Sequence, residues 1–185
     1  QTSYGYSSTS DVRIVNGGKL IVNGEAYVGR RGLGVIEVSN ATFQLNSKFW
    51  ASYESGGRTV VNLHSATQTV AAELNLPGSS GGSADVTVNA RSRLEQLSMS
   101  WYSGVGGAGR GTVSVTNSSF ITAGQLTVGG SGSGTVLLYG GTNVVKNTLY
   151  VGTYATGTGT YNQPFRFQTT YHSITMYHIV FRVCR

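Results

Sequence analysis

A unit of roughly 23 residues returns along this chain, and that return limits the folds open to it more than any other feature. Gly111-Thr-Val-Ser-Val-Thr-Asn-Ser-Ser-Phe120 is followed by Gln125-Leu-Thr-Val-Gly129. At the same interval come Gly134-Thr-Val-Leu-Leu-Tyr-Gly-Gly-Thr-Asn-Val144 and then Thr148-Leu-Tyr-Val-Gly152. The pairs Val113/Val136, Val115/Leu138, Leu126/Leu149 and Val128/Val151 keep that spacing, and Gly134 to Gly157 repeats it. Nearer the start, Gly34-Val-Ile-Glu-Val-Ser-Asn-Ala-Thr-Phe43 matches Gly111 to Phe120, and Ala26-Tyr-Val-Gly29 matches the Leu-x-Val-Gly segment. Val12-Arg-Ile14 with Asn16-Gly17-Gly18 resembles Val136-Leu-Leu138 with Gly140-Gly141. Thr59-Val-Val-Asn-Leu63, and Asp85-Val-Thr-Val-Asn89 with Leu97-Ser-Met99, supply the units between. About six units result, near 11–33, 34–57, 58–83, 84–110, 111–133 and 134–158.

Inside each unit the apolar residues alternate, which is the period-2 mark of strands, and Asn, Gly or Ser-Asn separates the runs. A unit this short cannot bury its own apolar face, but copies stacked in register can, because inward Val, Leu and Phe then form ladders. An antiparallel meander would want two-residue turns and no registration between units. The kept spacing favours an all-β parallel β-solenoid, a β-helix of about six coils with a period of roughly 23 residues. At about 4.8 Å per coil its length would be roughly 29 Å. Composition agrees. Glycine makes up 27 of 185 residues and only 11% are charged, which excludes a coiled coil and a highly charged disordered chain. No apolar run approaches the roughly 18 residues of a membrane span.

The order Leu-x-Val-Gly-(Gly), then Gly-Thr-(Val/Leu)-x-(Val/Leu), then an Asn or Gly-Gly turn resembles the repeat of bacterial autotransporter passengers and PEP-CTERM surface proteins. It is clearest over 111–160 and recognisable over 12–57. The resemblance implies a right-handed parallel β-helix on a secreted or surface-displayed protein and implies no enzymatic activity.

Three regions are expected: an N-terminal arm over 1–10, the repeats over 11–158, and a cap or donated strands over 159–185. The arm is low in complexity and carries Tyr4 and Tyr6; no glycine follows Gly159, and Ser173-Ile-Thr-Met-Tyr177 and Ile179-Val-Phe-Arg-Val183 alternate like strands. Such a tail would cover the last coil, whose backbone groups an open solenoid exposes, or pair with the next subunit. Tyr4, Tyr6, Ile179, Phe181 and Val183 are therefore the candidate subunit contacts. The chain begins at Gln1, which reads as a mature secreted chain, extracellular or at the cell surface. Cys184 is the single cysteine, so no internal disulfide is expected.

The net charge is +6, but the ten arginines are scattered with no basic run, so neither a nucleic-acid partner nor membrane insertion is expected. Parallel β-helices host polysaccharide-cleaving enzymes, which need two carboxylates about one bond. The acids here are Asp11, Asp85, Glu25, Glu37, Glu54, Glu73 and Glu95, spread over different units at places that do not correspond. Glu25 and Glu73 are expected to face solvent, whereas Glu37 and Glu54 share one unit. His172 and His178 stand six apart, about 20 Å along a strand and too far for one metal unless a turn intervenes; His64 is remote from both. No catalytic residue, metal ligand or cofactor is assigned. Thr112, Thr135 and Thr158 recur at the repeat interval as an outward ladder, with Ser114 and Leu137 spoiling a flat Thr-x-Thr array. Asn40-Ala-Thr42 and Asn117-Ser-Ser119 are sequons at equivalent places, or turn asparagines stacked as an amide ladder. Eleven tyrosines with Trp50 and Trp101 would offer a sugar-stacking surface. Trp101 and Tyr102, beside the glycine-rich 103–110, are the candidate glycan contacts. The stretch Leu97/Met99/Trp101 reads as a strand, with a helical turn over Arg91 to Ser100 as the alternative. The expected function is a structural β-solenoid that associates with itself into a fibre or adhesive layer. A glycan-binding adhesin is the alternative, and a polysaccharide lyase or hydrolase a more distant one.

Overall fold

A computed structural model describes residues 8–78, 81–100, 102–162 and 173–176. The chain winds as a parallel β-solenoid, three strands to a coil. The first coil holds β1 (Thr9–Val15), β2 (Lys19–Val22) and β3 (Ala26–Val28); the second holds β4 (Leu33–Ser39), β5 (Thr42–Leu45) and β6 (Phe49–Ala51). The third has β7 (Arg58–His64), β8 (Thr67–Val70) and β9 (Leu74–Leu76), and the fourth β10 (Ser83–Asn89), β11 (Arg93–Gln96) and β12 (Tyr102–Val105). The fifth has β13 (Arg110–Thr116), β14 (Ser119–Thr122) and β15 (Gln125–Val128), and the sixth β16 (Ser133–Tyr139), β17 (Thr142–Val145) and β18 (Thr148–Val151). Two further strands, β19 (Thr158–Asn162) and β20 (Ser173–Met176), begin another turn. Each strand pairs in parallel with its counterpart one coil away, giving sheets of seven, six and seven strands. No helix occurs among the described residues.

The alternation seen in the sequence is what closes the coil. In the first sheet Val12, Ile36, Val61, Val86, Val113 and Val136 stack on one another, as do Ile14, Val38, Leu63, Val88, Val115 and Leu138. These ladders meet Phe43, Leu45, Phe120, Phe49, Leu74 and Leu126 from the other two sheets in one core, nearly all of it under 5% exposed. A strand face of Val, Ile and Leu is both a good β-former and the apolar area that burial rewards at about 25 cal/mol per Å². Second-sheet interior positions are not all apolar: Gln68, Gln96, Thr122 and Asn143 sit inside. Gln96 is fully bonded there. Its amide donates to Ala72 O (2.8 Å) and Ser98 O (2.6 Å), and its Oε1 accepts from Gly124 N (3.2 Å).

Several expectations need correction. The first sheet's strands begin at Thr9, Leu33, Arg58, Ser83, Arg110, Ser133 and Thr158, so the interval is longest from Ser83 to Arg110 and shortest from Arg110 to Ser133. The period is therefore about 25 residues, within the range of stacked repeat units. The shorter value read from the sequence belongs to the fifth coil alone, whose corners are the tightest. The longer corner Gly152 to Gly157 moves the next register by two, so Gly134 pairs with Gly159 and Thr135 with Thr160, while Thr158 faces Ser133. The outward threonine ladder is Thr112, Thr135 and Thr160. Leu97 and Met99 are not in a strand; they are 49% and 66% exposed in the connection that follows β11. The third strand of that coil is β12, inside the supposed glycine loop, with Ser103 and Val105 inward. Residues 158–162 and 173–176 lengthen the first and third sheets in parallel on this same chain.

Candidate functional site

The outer face of the third sheet carries a row of aromatic and amide side chains. One outward position runs through successive coils as Tyr27, Trp50, Asn75, Gly104, Thr127 and Tyr150. Its first members form an aromatic cluster. Tyr27 lies parallel to Trp50 at 6.5 Å between ring centres, and Tyr53 stands edge-on to both at 5.1 and 5.3 Å. Edge-on and offset pairs are the arrangements that ring quadrupoles favour. Lys48 Nζ lies 5.6 Å from the Trp50 ring centre, and Arg30 5.9 Å from that of Tyr53.

Where the row reaches Gly104 the face sinks, because no side chain fills that position between Asn75 and Thr127. The result is a groove of about 370 Å³ with Trp50 toward one end, Tyr154 toward the other, and Asn75, Gln125 and Thr127 along it. The other described residues lining it are Pro, Gly and Ala, so among the described residues no charged side chain enters the groove. The volume falls near the lower end of the roughly 300–1,000 Å³ usual for ligand sites. Gln125 Nε2 donates to Thr127 Oγ1 (2.8 Å), which fixes that wall. Asn75 is 5% exposed, and neither its Nδ2 nor the buried Trp50 Nε1 has a hydrogen-bond partner. Two such donors are costly, about 1–3 kcal/mol each, and their coincidence at one groove asks for an explanation.

Charged groups flank the groove without entering it. Lys48 and Glu73 occupy the same corner position in adjacent coils and pair at 3.1 Å. Glu73 is thus 4% exposed, against the expectation that it faces solvent. Glu25, Lys48 and Glu73 follow one another at that corner, so the sign of charge alternates from coil to coil. Glu25 accepts a hydrogen bond from Tyr27, and this bond, with burial, raises the Tyr27 phenol above its ordinary value. Glu54 is held by Arg31 and Arg30; the hydrogen bond from Arg31 is the chief reason its carboxyl sits below the usual glutamate range.

The remaining acids are also paired: Asp11 and Glu37 with Arg13, Asp85 with Arg58, Glu95 with Arg93. The hydrogen bond to Glu95 raises the Arg93 guanidinium further above its ordinary value. Asp11 and Asp85 hold the same outward position three coils apart, so the acids are less scattered over the repeat than the sequence indicates. Glu37 lies on the first sheet with Arg13 and Glu54 at a corner with Arg30, and neither salt bridge joins the two acids. His64 Nδ1 meets Asn89 Oδ1 of the next coil at 3.0 Å. Asn40 and Asn117 do share one turn position, but Ser65 and Ala90 separate them, so no amide ladder joins them. No cluster of three or more His, Cys, Asp or Glu suited to a metal occurs among the described residues.

Of the residues singled out from the sequence, Tyr4, Tyr6, Trp101, Ile179, Phe181 and Val183 lie outside the described residues, as do His172, His178 and Cys184. Tyr102 is the first residue of β12, in register with Gln125, and only its backbone is described. Trp50, one of the two tryptophans noted for stacking, lines the groove. Sequence reasoning missed Asn75, Gly104, Gln125 and Tyr154. The signal available for them is a lone glycine at an outward strand position, which often marks a close approach by a ligand or another backbone. Comparison with family profiles, curated proteins and solved structures finds no match for this chain.

Proposed function

We propose that the chain is a structural β-solenoid of a secreted or surface protein, which associates end to end with copies of itself. The observation that carries this reading is the first coil. Its strands β1, β2 and β3 are the terminal members of their sheets among the described residues. Of its inward residues Ile14 and Val28 are buried, but Val12, Leu20, Val22 and Ala26 are only partly so, while their counterparts Ile36, Phe43, Leu45 and Phe49, one coil in, are at most 3% exposed. These four residues continue the apolar ladders of the interior coils at the same register and leave them partly uncovered at this end among the described residues. A coil of a second copy matches that pattern, and an unpaired strand edge is a template for such addition.

Light scattering coupled to size-exclusion chromatography, followed by negative-stain microscopy, tests the reading. Particles that lengthen with concentration are expected, and Leu20→Lys, which sets a charge on the exposed end, is expected to shorten them while leaving the β-sheet spectrum intact. Strictly monomeric protein at every concentration and salt would overturn it.

A further inference from the structure

We infer that the groove on the third sheet binds a neutral polysaccharide, held by Trp50 and Tyr154 at its ends and by Asn75 between them. Trp50 and Thr127 stand three coils apart in the outward row, about 14 Å, so the groove runs along the rod axis rather than as a closed pocket. A chain of sugar rings fits such a track better than a compact metabolite does. The chemistry matches as well. Sugars present apolar C–H faces that lie on aromatic rings, and hydroxyl oxygens that accept hydrogen bonds. The groove supplies Trp50 and Tyr154 for the first, Tyr154 being 64% exposed. For the second it supplies the amide and hydroxyl side chains of Asn75, Gln125 and Thr127 along its wall. An uncharged lining selects against uronates and sulfated glycans, whose charge would have no counter-ion here.

The glycine at position 104 makes room for the ligand. Asn75 and Thr127, its neighbours in the row, both carry side chains at this strand position, whereas Gly104 lines the groove with backbone alone. Ligand sites need few polar groups if those are well placed, and this groove has three amide or hydroxyl side chains on a rigid sheet.

Affinity electrophoresis in native gels containing soluble mixed-linkage glucan, galactomannan or arabinoxylan tests the inference, with polygalacturonate as the charged control. Retardation in at least one neutral gel is expected. Trp50→Ala and Gly104→Thr are each expected to weaken it at least tenfold, with the β-sheet spectrum and thermal melt of each variant showing that it folds. Retardation by polygalacturonate alone would overturn the inference, as would no retardation in any neutral gel, or retardation that survives Gly104→Thr in a folded protein.

Discussion

Two corners of the coil hold residues in the left-handed conformation, and they treat side chains in opposite ways. Between the first and second sheets the turn residue is Asn16, Asn40, Ser65, Ala90, Asn117 or Gly140, with φ from 46° to 65°. Between the third and first sheets it is Gly29, Ser52, Gly106, Gly129 or Gly152, with φ from 49° to 69°. The dihedral demand is the same, yet all but Gly140 carry a Cβ at the first corner and only Ser52 does at the second. The difference lies in what the turn faces. A Cβ on Gly17, beside Asn16, would meet nothing within 4 Å, whereas one on Gly129 would lie 2.1 Å from Thr158 O. The first corner opens outward; the other folds its backbone against the backbone of the following coil. Positive φ alone selects Asn and Gly weakly, and positive φ with backbone contact selects Gly alone.

Gly129→Ala and Gly17→Ala separate these two causes and give the largest expected effect. Both place alanine at a positive φ, 68° and 79°. Gly17→Ala is expected to cost about 1–2 kcal/mol, the left-handed penalty by itself. Gly129→Ala must also push two coils apart, and is expected to cost about 2–4 kcal/mol in urea unfolding. Equal losses would show that contact adds nothing.

Ser52 is the exception at the tight corner, and its neighbours explain it. The first-sheet position that packs against this corner is Gly34, Gly111, Gly134 or Gly159 in other coils, but Thr59 here. Ser52 N–H donates to Thr59 Oγ1 (3.0 Å), Thr59 donates to Val28 O (2.7 Å), and Ser52 Oγ donates to Ser83 O (2.5 Å). A pair of hydroxyls takes the place of a pair of glycines. Thr59→Val keeps the volume and removes the bond to Val28 O, so a loss of about 1–2 kcal/mol is expected by the same unfolding measurement. A change within error would mean that shape, not hydrogen bonding, lets side chains into this corner.

The same contrast marks what the sequence can reveal. Coils built on glycine corners, 111–152, show themselves at once, because contact leaves one permitted residue and the spacing stays short. Coils with substituted corners do not: Ser52 with Thr59 erases the glycine signature while keeping the left-handed turn, and Pro77 with Ala84 erases it by replacing that turn. In the fourth coil Gln96 replaces an apolar inward residue and ties down the connection carrying Leu97 and Met99, whose apolar alternation imitates a strand. The true strand there, Ser103-Gly-Val105, has a single large apolar residue and no visible pattern. The groove shares that obscurity. Trp50 is conspicuous, but its alignment with Asn75, Gly104 and Thr127 needs the register across the longest coil, Ser83 to Val105 with its corner. A repeat period decides the fold class and leaves that register open, because insertions at corners shift it without changing the strand pattern.

A smaller change probes the permissive corner. Ala90 has φ 55° and no polar side chain to support the left-handed conformation, unlike Asn117 at the equivalent position. Ala90→Gly relieves that strain but loosens the unfolded chain, and a net gain of about 0.5 kcal/mol is expected. Asn117→Gly should gain less, since asparagine visits this region readily. Thermal melts of the two variants side by side decide it, and equal shifts would remove the claim that asparagine is chosen here for its backbone.

The smallest effect concerns the charge that gathers beside the Ser52 corner. Glu54, two residues further on, pairs with Arg30 and Arg31 from the preceding coil, and the Arg31 hydrogen bond lowers its carboxyl affinity for protons in the fold. A depressed folded value means the unfolded chain binds the proton more readily, so the pairing stabilises above the ordinary glutamate value, about 4.3. That contribution is lost as the pH falls from there through the folded value. The glycine corners carry no carboxylate at the matching place, which holds Arg31, Ala108, Ser131 or Tyr154 instead. Melting temperatures of wild type and Glu54→Gln are expected to differ at pH 7 and to draw together as the pH falls from the ordinary glutamate value, about 4.3, through the folded one. A difference that persists unchanged in acid would assign Glu54 a packing role at this corner, and the contrast between the two kinds of corner would then rest on hydroxyls alone.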